Sequence, residues 1–223
     1  MSLFLNSERK YFMLPRLQTA LVLSVTFLTL FSLALTAQEG NYDLKVNSWP
    51  ANLAEFDSFR KENASTPQGA VISLIAALDI YTKDETEGRN ALVLILDARN
   101  LSTDTSPKGY KGYTVSRSTM DLVSRQIANN PHLIGSYLPG SSTENGYKPS
   151  SPPYEFALTA NRFSGATNDG KIKLFIPSSG ASSPRPVTVQ RNSKGAWKVS
   201  EFSSILVGVA KPATTTSDPV DDL

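Results

Sequence analysis

The sequence contains no cysteine. Disulfides, thiol nucleophiles, thiolate metal sites and a lipid-modified cysteine are therefore excluded, and the fold must stand on its buried core. Histidine is almost as scarce. His132 is the only one, so no site can use two imidazoles, and a Ser-His-Asp arrangement would have a single possible base. Net charge is also small, at +2 over 223 residues. That excess belongs to the N-terminal segment: setting aside Glu8, Arg9, Lys10 and Arg16 leaves 19 basic against 19 acidic residues. A neutral remainder gives no electrostatic footing for nucleic acid.

What is present at the N-terminus is an address. Lys10 and Arg16 precede the uncharged run Ala20 to Ala37, which ends in Leu35-Thr36-Ala37 before the polar Gln38. A basic start, an apolar middle and a small residue at the break form a secretion signal, with cleavage expected after Ala37. At eighteen residues the run is also close to the roughly 20 that span a bilayer, so an uncleaved anchor is the alternative reading. Either way the C-terminal domain is expected outside the cytoplasmic membrane, touching it only through that segment.

Residues 38–55 read as a polar lead-in and residues 210–223 as a disordered tail, leaving a single domain over 56–209. Its first half is helical. Thr66 and Pro67 begin a helix whose apolar residues Ala70, Val71, Leu74, Ile75, Leu78 and Tyr81 recur at spacings of three and four. A second helix is favoured over a buried strand for Glu87 to Ala98, because Leu and Ala outnumber β-branched residues there. A third follows Ser116, with Val115 and Met120 placed as a staple, and stops at Asn129-Asn130-Pro131.

After that the period changes to two. Tyr154 to Thr159, Lys171 to Ile176, Pro186 to Arg191 and Ala196 to Val209 read as strands. Asn192-Ser193-Lys194-Gly195 suits a hairpin loop that sets Arg191 opposite Trp197, Val189 opposite Val199 and Val187 opposite Glu201. The expected fold class is α+β, with N-terminal helices packed on one face of a C-terminal antiparallel meander.

Candidate functional residues fall in two places. Strict alternation from Trp197 and Val199 sends Glu201 to the apolar face, as a pocket-lining acid beside Trp197 and Arg191; a β-bulge near Ser200 would instead turn it outward. The loop Lys108-Gly-Tyr110-Lys111-Gly-Tyr113 alternates cations with aromatics, a surface suited to a glycan or peptide. It is no phosphate loop, since the Gly-x-Gly-x-x-Gly pattern is missing. No catalytic set, metal site or cofactor is implied by any motif. Ser178-Ser179-Gly180 lacks a nucleophile elbow, and Asp84 to Gly88 lacks the length of a calcium loop.

The stretch Lys173-Leu-Phe-Ile-Pro-Ser-Ser-Gly, continued through Val189 and then by Gly195-Ala-Trp-Lys-Val-Ser-Glu-Phe-Ser-Ser, resembles an uncharacterised bacterial domain family. Thr66-Pro-Gln-Gly-Ala and Tyr110-Lys-Gly-Tyr113 fit it too. The resemblance covers most of 56–212 and implies no activity. The order of elements is similar to nuclear-transport-factor-2-like and cystatin-like folds, whose cones hold small ligands. That implies a cone here, which is fold-level analogy. Together these readings favour an exported, non-enzymatic binding domain of the cell envelope, with a glycan, peptide or protein as partner. A small-molecule enzyme built on Glu201, and a membrane-tethered assembly component, are the alternatives.

Overall fold

The computed structural model describes residues 40–213. Residues 1–39, where the export signal is expected, and the last ten residues lie outside them. Along the chain run β1 (Gly40–Val46), α1 (Leu53–Asn63), α2 (Pro67–Lys83), α3 (Glu85–Ile95), β2 (Leu101–Thr103), β3 (Tyr113–Val115) and α4 (Arg117–Asn129). Then come β4 (Tyr154–Ala160), β5 (Gly165–Ala166), β6 (Lys171–Ile176), β7 (Arg185–Arg191) and β8 (Trp197–Glu201). The main sheet is antiparallel in the order β1-β4-β6-β7-β8, with β5 beside β6 in line with β4. The α+β class and its order, helices before meander, are as the sequence implies.

α2 is the centre of the molecule. Thr66 caps it by accepting from the Gly69 N–H at 3.2 Å, and Pro67 occupies its first turn. The sequence shows one apolar stripe, but Ile72, Ser73, Ala76, Ala77 and Ile80 on its other faces are buried as well. α1, α3 and the sheet close around it, so the helix has no solvent face. Of the two hydroxyls this buries, Ser73 Oγ is satisfied inside the helix, donating to the Gly69 carbonyl at 2.8 Å, while the Tyr81 hydroxyl has no hydrogen-bond partner among the described residues.

Three expectations need correction. The polar lead-in is structured: β1 pairs with β4 along its whole length, from Gly40↔Ala160 to Val46↔Tyr154. α1 follows, started by Asn52 and Glu55. The Asn52 side chain accepts from the Glu55 N–H at 2.9 Å, and the Glu55 carboxylate accepts from the Asn52 amide at 2.9 Å. The last strand is also shorter than Ala196 to Val209. β8 ends at Glu201, and Ser203–Leu206 turn as a 3-10 helix that buries Ile205 and Leu206.

The third correction is register. Arg191↔Trp197 and Val189↔Val199 pair as expected, but Glu201 pairs with Thr188 rather than Val187. Ser200 is the extra residue of a β-bulge. Two groups hold that bulge: Ser200 Oγ donates to the Thr188 carbonyl at 3.2 Å, and Asn100 Nδ2 donates to the Ser200 carbonyl at 3.2 Å. The otherwise open edge of β8 is covered there by the segment after α3, with the Asp97 N–H donating to the Val199 carbonyl at 2.8 Å.

Candidate functional site

The bulge decides where Glu201 points. Its side chain is exposed, and one carboxylate oxygen accepts from the Ser203 N–H at 2.8 Å and the Ser203 hydroxyl at 2.6 Å. Those bonds hold its pKa below the usual glutamate value, against a smaller desolvation effect. Glu201 is thus a charged cap on the turn after β8, at the rim of a shallow hollow shared with Asn100, Thr119 and Phe202. Trp197 goes the other way. It is 2% exposed, its main-chain N–H donates to the Ala64 carbonyl at 2.9 Å, and Arg191 lies over its ring at 5.8 Å. Trp197 is a core side chain with a cationic cover, four strand positions from Glu201, roughly 13 Å along the strand.

Lys198, adjacent to Trp197 but on the other face of the strand, carries no sequence signal that singles it out. It reaches the Leu94 carbonyl, one of the acceptors left open at the C-terminus of α3. Burial pushes its amine down to about 8 from 10.5; Arg60 and Lys111 push the same way, and Asp97 opposes them. A lysine with a depressed folded pKa binds fewer protons folded than unfolded between those values. Its cost to stability is therefore full below pH 8 and fades as pH rises toward 10.5. Relative to Lys198→Met, the wild type should gain stability across that window in urea titrations at stepped pH. Parallel pH profiles would contradict this.

The remaining candidates gather around α3. Lys111 (φ 53°) and Gly112 (φ 83°) are the two left-handed central residues of a primed turn. Tyr110 and Tyr113 close it with N–H···O bonds of 2.8 and 3.1 Å. Lys111 lies over the Tyr110 ring at 5.4 Å, and Tyr113 is 49% exposed. The hairpin tip and Lys108 form one wall of a groove of about 670 Å³. The other wall is the outer stripe of α3: Thr86, Arg89, Asn90 and Val93. At its mouth Asp104 accepts from the Ser106 N–H at 3.0 Å, and Ser106 holds its carboxyl below the ordinary range.

Lys108, Tyr110 and Tyr113 therefore share one groove, with Lys111 on the turn beside it. Glu201 and the Trp197–Arg191 pair lie elsewhere, each with local partners. Arg89 and Asn90 belong to no motif in the sequence that marks them as functional. Their i, i+3, i+4, i+7 spacing with Thr86 and Val93 puts them on one stripe of a helix, but nothing in the sequence says which loop faces that stripe. His132 stacks on Tyr147 at 5.8 Å, while Ser178 shares a 2.9 Å hydrogen bond with Ser136.

No curated protein and no solved structure matches this chain. Residues 48–213, well over half of its length, match a family described as a domain of unknown function, DUF6935. The chain belongs to that family.

Proposed function

We propose that this chain is a non-enzymatic binding domain displayed outside the cytoplasmic membrane, and that it holds an envelope glycan in the groove between α3 and the Tyr110–Tyr113 turn. The address rests on the N-terminal sequence pattern. The binding reading rests on the groove, where two tyrosine rings, two cations and the Asn90 and Asp104 side chains converge on one space of about 670 Å³. Tyrosine faces offer apolar stacking with a polar edge, and amide and carboxylate groups suit vicinal hydroxyls, a combination fitting a sugar ring better than an apolar ligand.

The rival reading needs an acid in an enclosed pocket. Glu201 is instead exposed and engaged with Ser203, which favours the binding domain. Replacing both Tyr110 and Tyr113 by Ala should weaken co-sedimentation with purified cell-wall polysaccharide by roughly 5- to 150-fold, taking each stacked aromatic at about 0.5–1.5 kcal/mol. Unchanged sedimentation by a folded double variant would refute the assignment.

A further inference from the structure

The main sheet is split. β4 and β6 pair at only one position, Thr159↔Phe175. The cause is local. The Lys173 N–H donates to the Ser164 carbonyl, on the edge of β6 that faces away from β7. Main-chain groups two residues apart in a strand point the same way. Phe175 therefore also faces β4, and Thr159 faces Phe175. By the same period, the N–H and C=O of Ala157 and Glu155 point along the β6 side of β4.

Continuing the register would set Ala157 against Pro177 and Glu155 against Ser179. Pro177 has no N–H to give, and the Ser179 N–H donates elsewhere, to the Ser136 carbonyl at 2.8 Å. The ladder stops, and a notch of about 350 Å³ opens between Glu155–Ala157 and Ile176–Ser179. No described residue pairs with the Ala157 or Glu155 main chain on that side.

The walls of the notch are mostly hydroxyl-bearing and apolar. Ser136, Ser141, Ser178 and Ser179 line it with hydroxyls that bond one another or nearby carbonyls. Phe156 and Ile176 supply apolar surface. Among the described lining residues the only charge is Glu155, which pairs with Lys45 at 2.9 Å. An unpaired strand edge about three residues long, roughly 10 Å at ~3.3 Å per residue, is a template for β-augmentation, in which main-chain bonds give affinity and pockets give selectivity.

We propose that this notch is a strand-insertion site that takes an extended, uncharged peptide segment with small or hydroxyl side chains. The peptide adds its backbone to Glu155 and Ala157 and restores the missing rung of the sheet. This site is separate from the α3 groove and stands whether or not that groove binds a glycan.

Amide hydrogen exchange followed by NMR tests it in two steps. In the free protein, the Glu155 and Ala157 amides should exchange at least tenfold faster than those of Phe156 and Leu158, which face β1. Adding millimolar Ac-Ser-Val-Ser-Val-Ser-NH2 should slow the Glu155 and Ala157 amides at least tenfold, and the same peptide N-methylated at all five residues, which blocks both of its edges, should not. Ser179→Tyr, which fills the notch from its rim, should abolish the effect, as should Ala157→Pro, which removes one of the two donors. Two variants are used so that misfolding of one leaves a result. Protection already present in the free protein at all concentrations would show the edge to be paired and overturn the proposal. Protection that appears with protein concentration alone would assign the notch to a second copy, and also overturn it. Equal binding of the N-methylated peptide would do the same.

Discussion

Gly88→Ala should destabilise this domain by about 3 kcal/mol. Two effects oppose each other. Alanine improves helix propensity by up to about 1 kcal/mol over glycine, so in an exposed helix the change would stabilise. Here α2 and α3 are joined by one residue. Asp84 ends the first helix, its N–H donating to the Ile80 carbonyl at 2.8 Å, and caps the second by accepting from the Glu87 N–H at 2.9 Å. Such a short corner forces the helices together one turn later. A Cβ on Gly88 would fall under 3.0 Å from the main chain of Tyr81, and backbone in a fully buried helix cannot move aside as a side-chain tip would. Overpacking typically costs about 1–3 kcal/mol and more against rigid neighbours, so sterics exceed propensity. For a domain of this size the loss amounts to roughly 6–12 °C in Tm. Thr86→Ala, on the exposed stripe of α3, is the control and should be neutral within about 0.5 kcal/mol. A Gly88→Ala variant melting with the control would show that the corner has room.

That corner also shows how sequence and structure divide the information. The period of α2 was plain, because Leu74, Ile75 and Leu78 repeat at helical spacing. Its burial on every side was not, because the extra layer comes from α1, whose start lay in a stretch read as a lead-in. The signals there were real but short. Tyr42, Leu44 and Val46 alternate for only three apolar positions, and Asn52-Leu-Ala-Glu55 is a four-residue capping pattern. Local patterns of that length compete poorly with composition, and the composition of 38–55 is polar. Gly88 itself carried no mark that distinguishes a turn glycine from one at a helix crossing.

The site was legible only in part for a related reason. Aromatic and cationic alternation picked out the Lys108 to Tyr113 turn, which is a property of the residues themselves. Arg89 and Asn90 become its neighbours only through packing of α3 against that turn, a non-local fact. Glu201 shows the reverse: alternation is a local rule, and one inserted residue, Ser200, inverts it. A bulge near Ser200 is the local alternative that the sequence offers; what no window around β8 shows is that Asn100, about a hundred positions away, holds it. The split between β4 and β6 was legible in principle, since Ile176-Pro177 announces a strand that cannot continue its ladder. Which partner strand loses its donors depends on register.

Trp49→Ala should cost about 3 kcal/mol and release β1 before the rest of the sheet. Trp49 sits on the connection between β1 and α1, and three rings meet it: Tyr154 at 5.4 Å, Phe59 at 5.7 Å and Phe156 at 5.9 Å between centroids. Its indole N–H donates to Asp79 Oδ2 at 2.8 Å, and Lys83 binds the same oxygen at 2.7 Å. Asp79 is buried on α2, so this bond ties the β1 connection to the central helix. Removing a large aromatic costs about 3–5 kcal/mol when fully buried, and partial exposure of Trp49 places it at the lower end. Trp49→Phe separates the two contributions. It keeps most ring contact and loses only a hydrogen bond to a charged acceptor, worth about 1.5–3 kcal/mol, so it should fall between wild type and Trp49→Ala in urea midpoint. Hydrogen exchange gives the spatial readout. The β1 amides bonded to β4, at Tyr42 and Leu44, should lose protection in Trp49→Ala while Val187 and Val189 in β7 keep theirs. The family match begins at residue 48, so β1 lies outside it and Trp49 just within. If β1 and β7 lose protection together, Trp49 holds the whole core rather than fastening one strand to it.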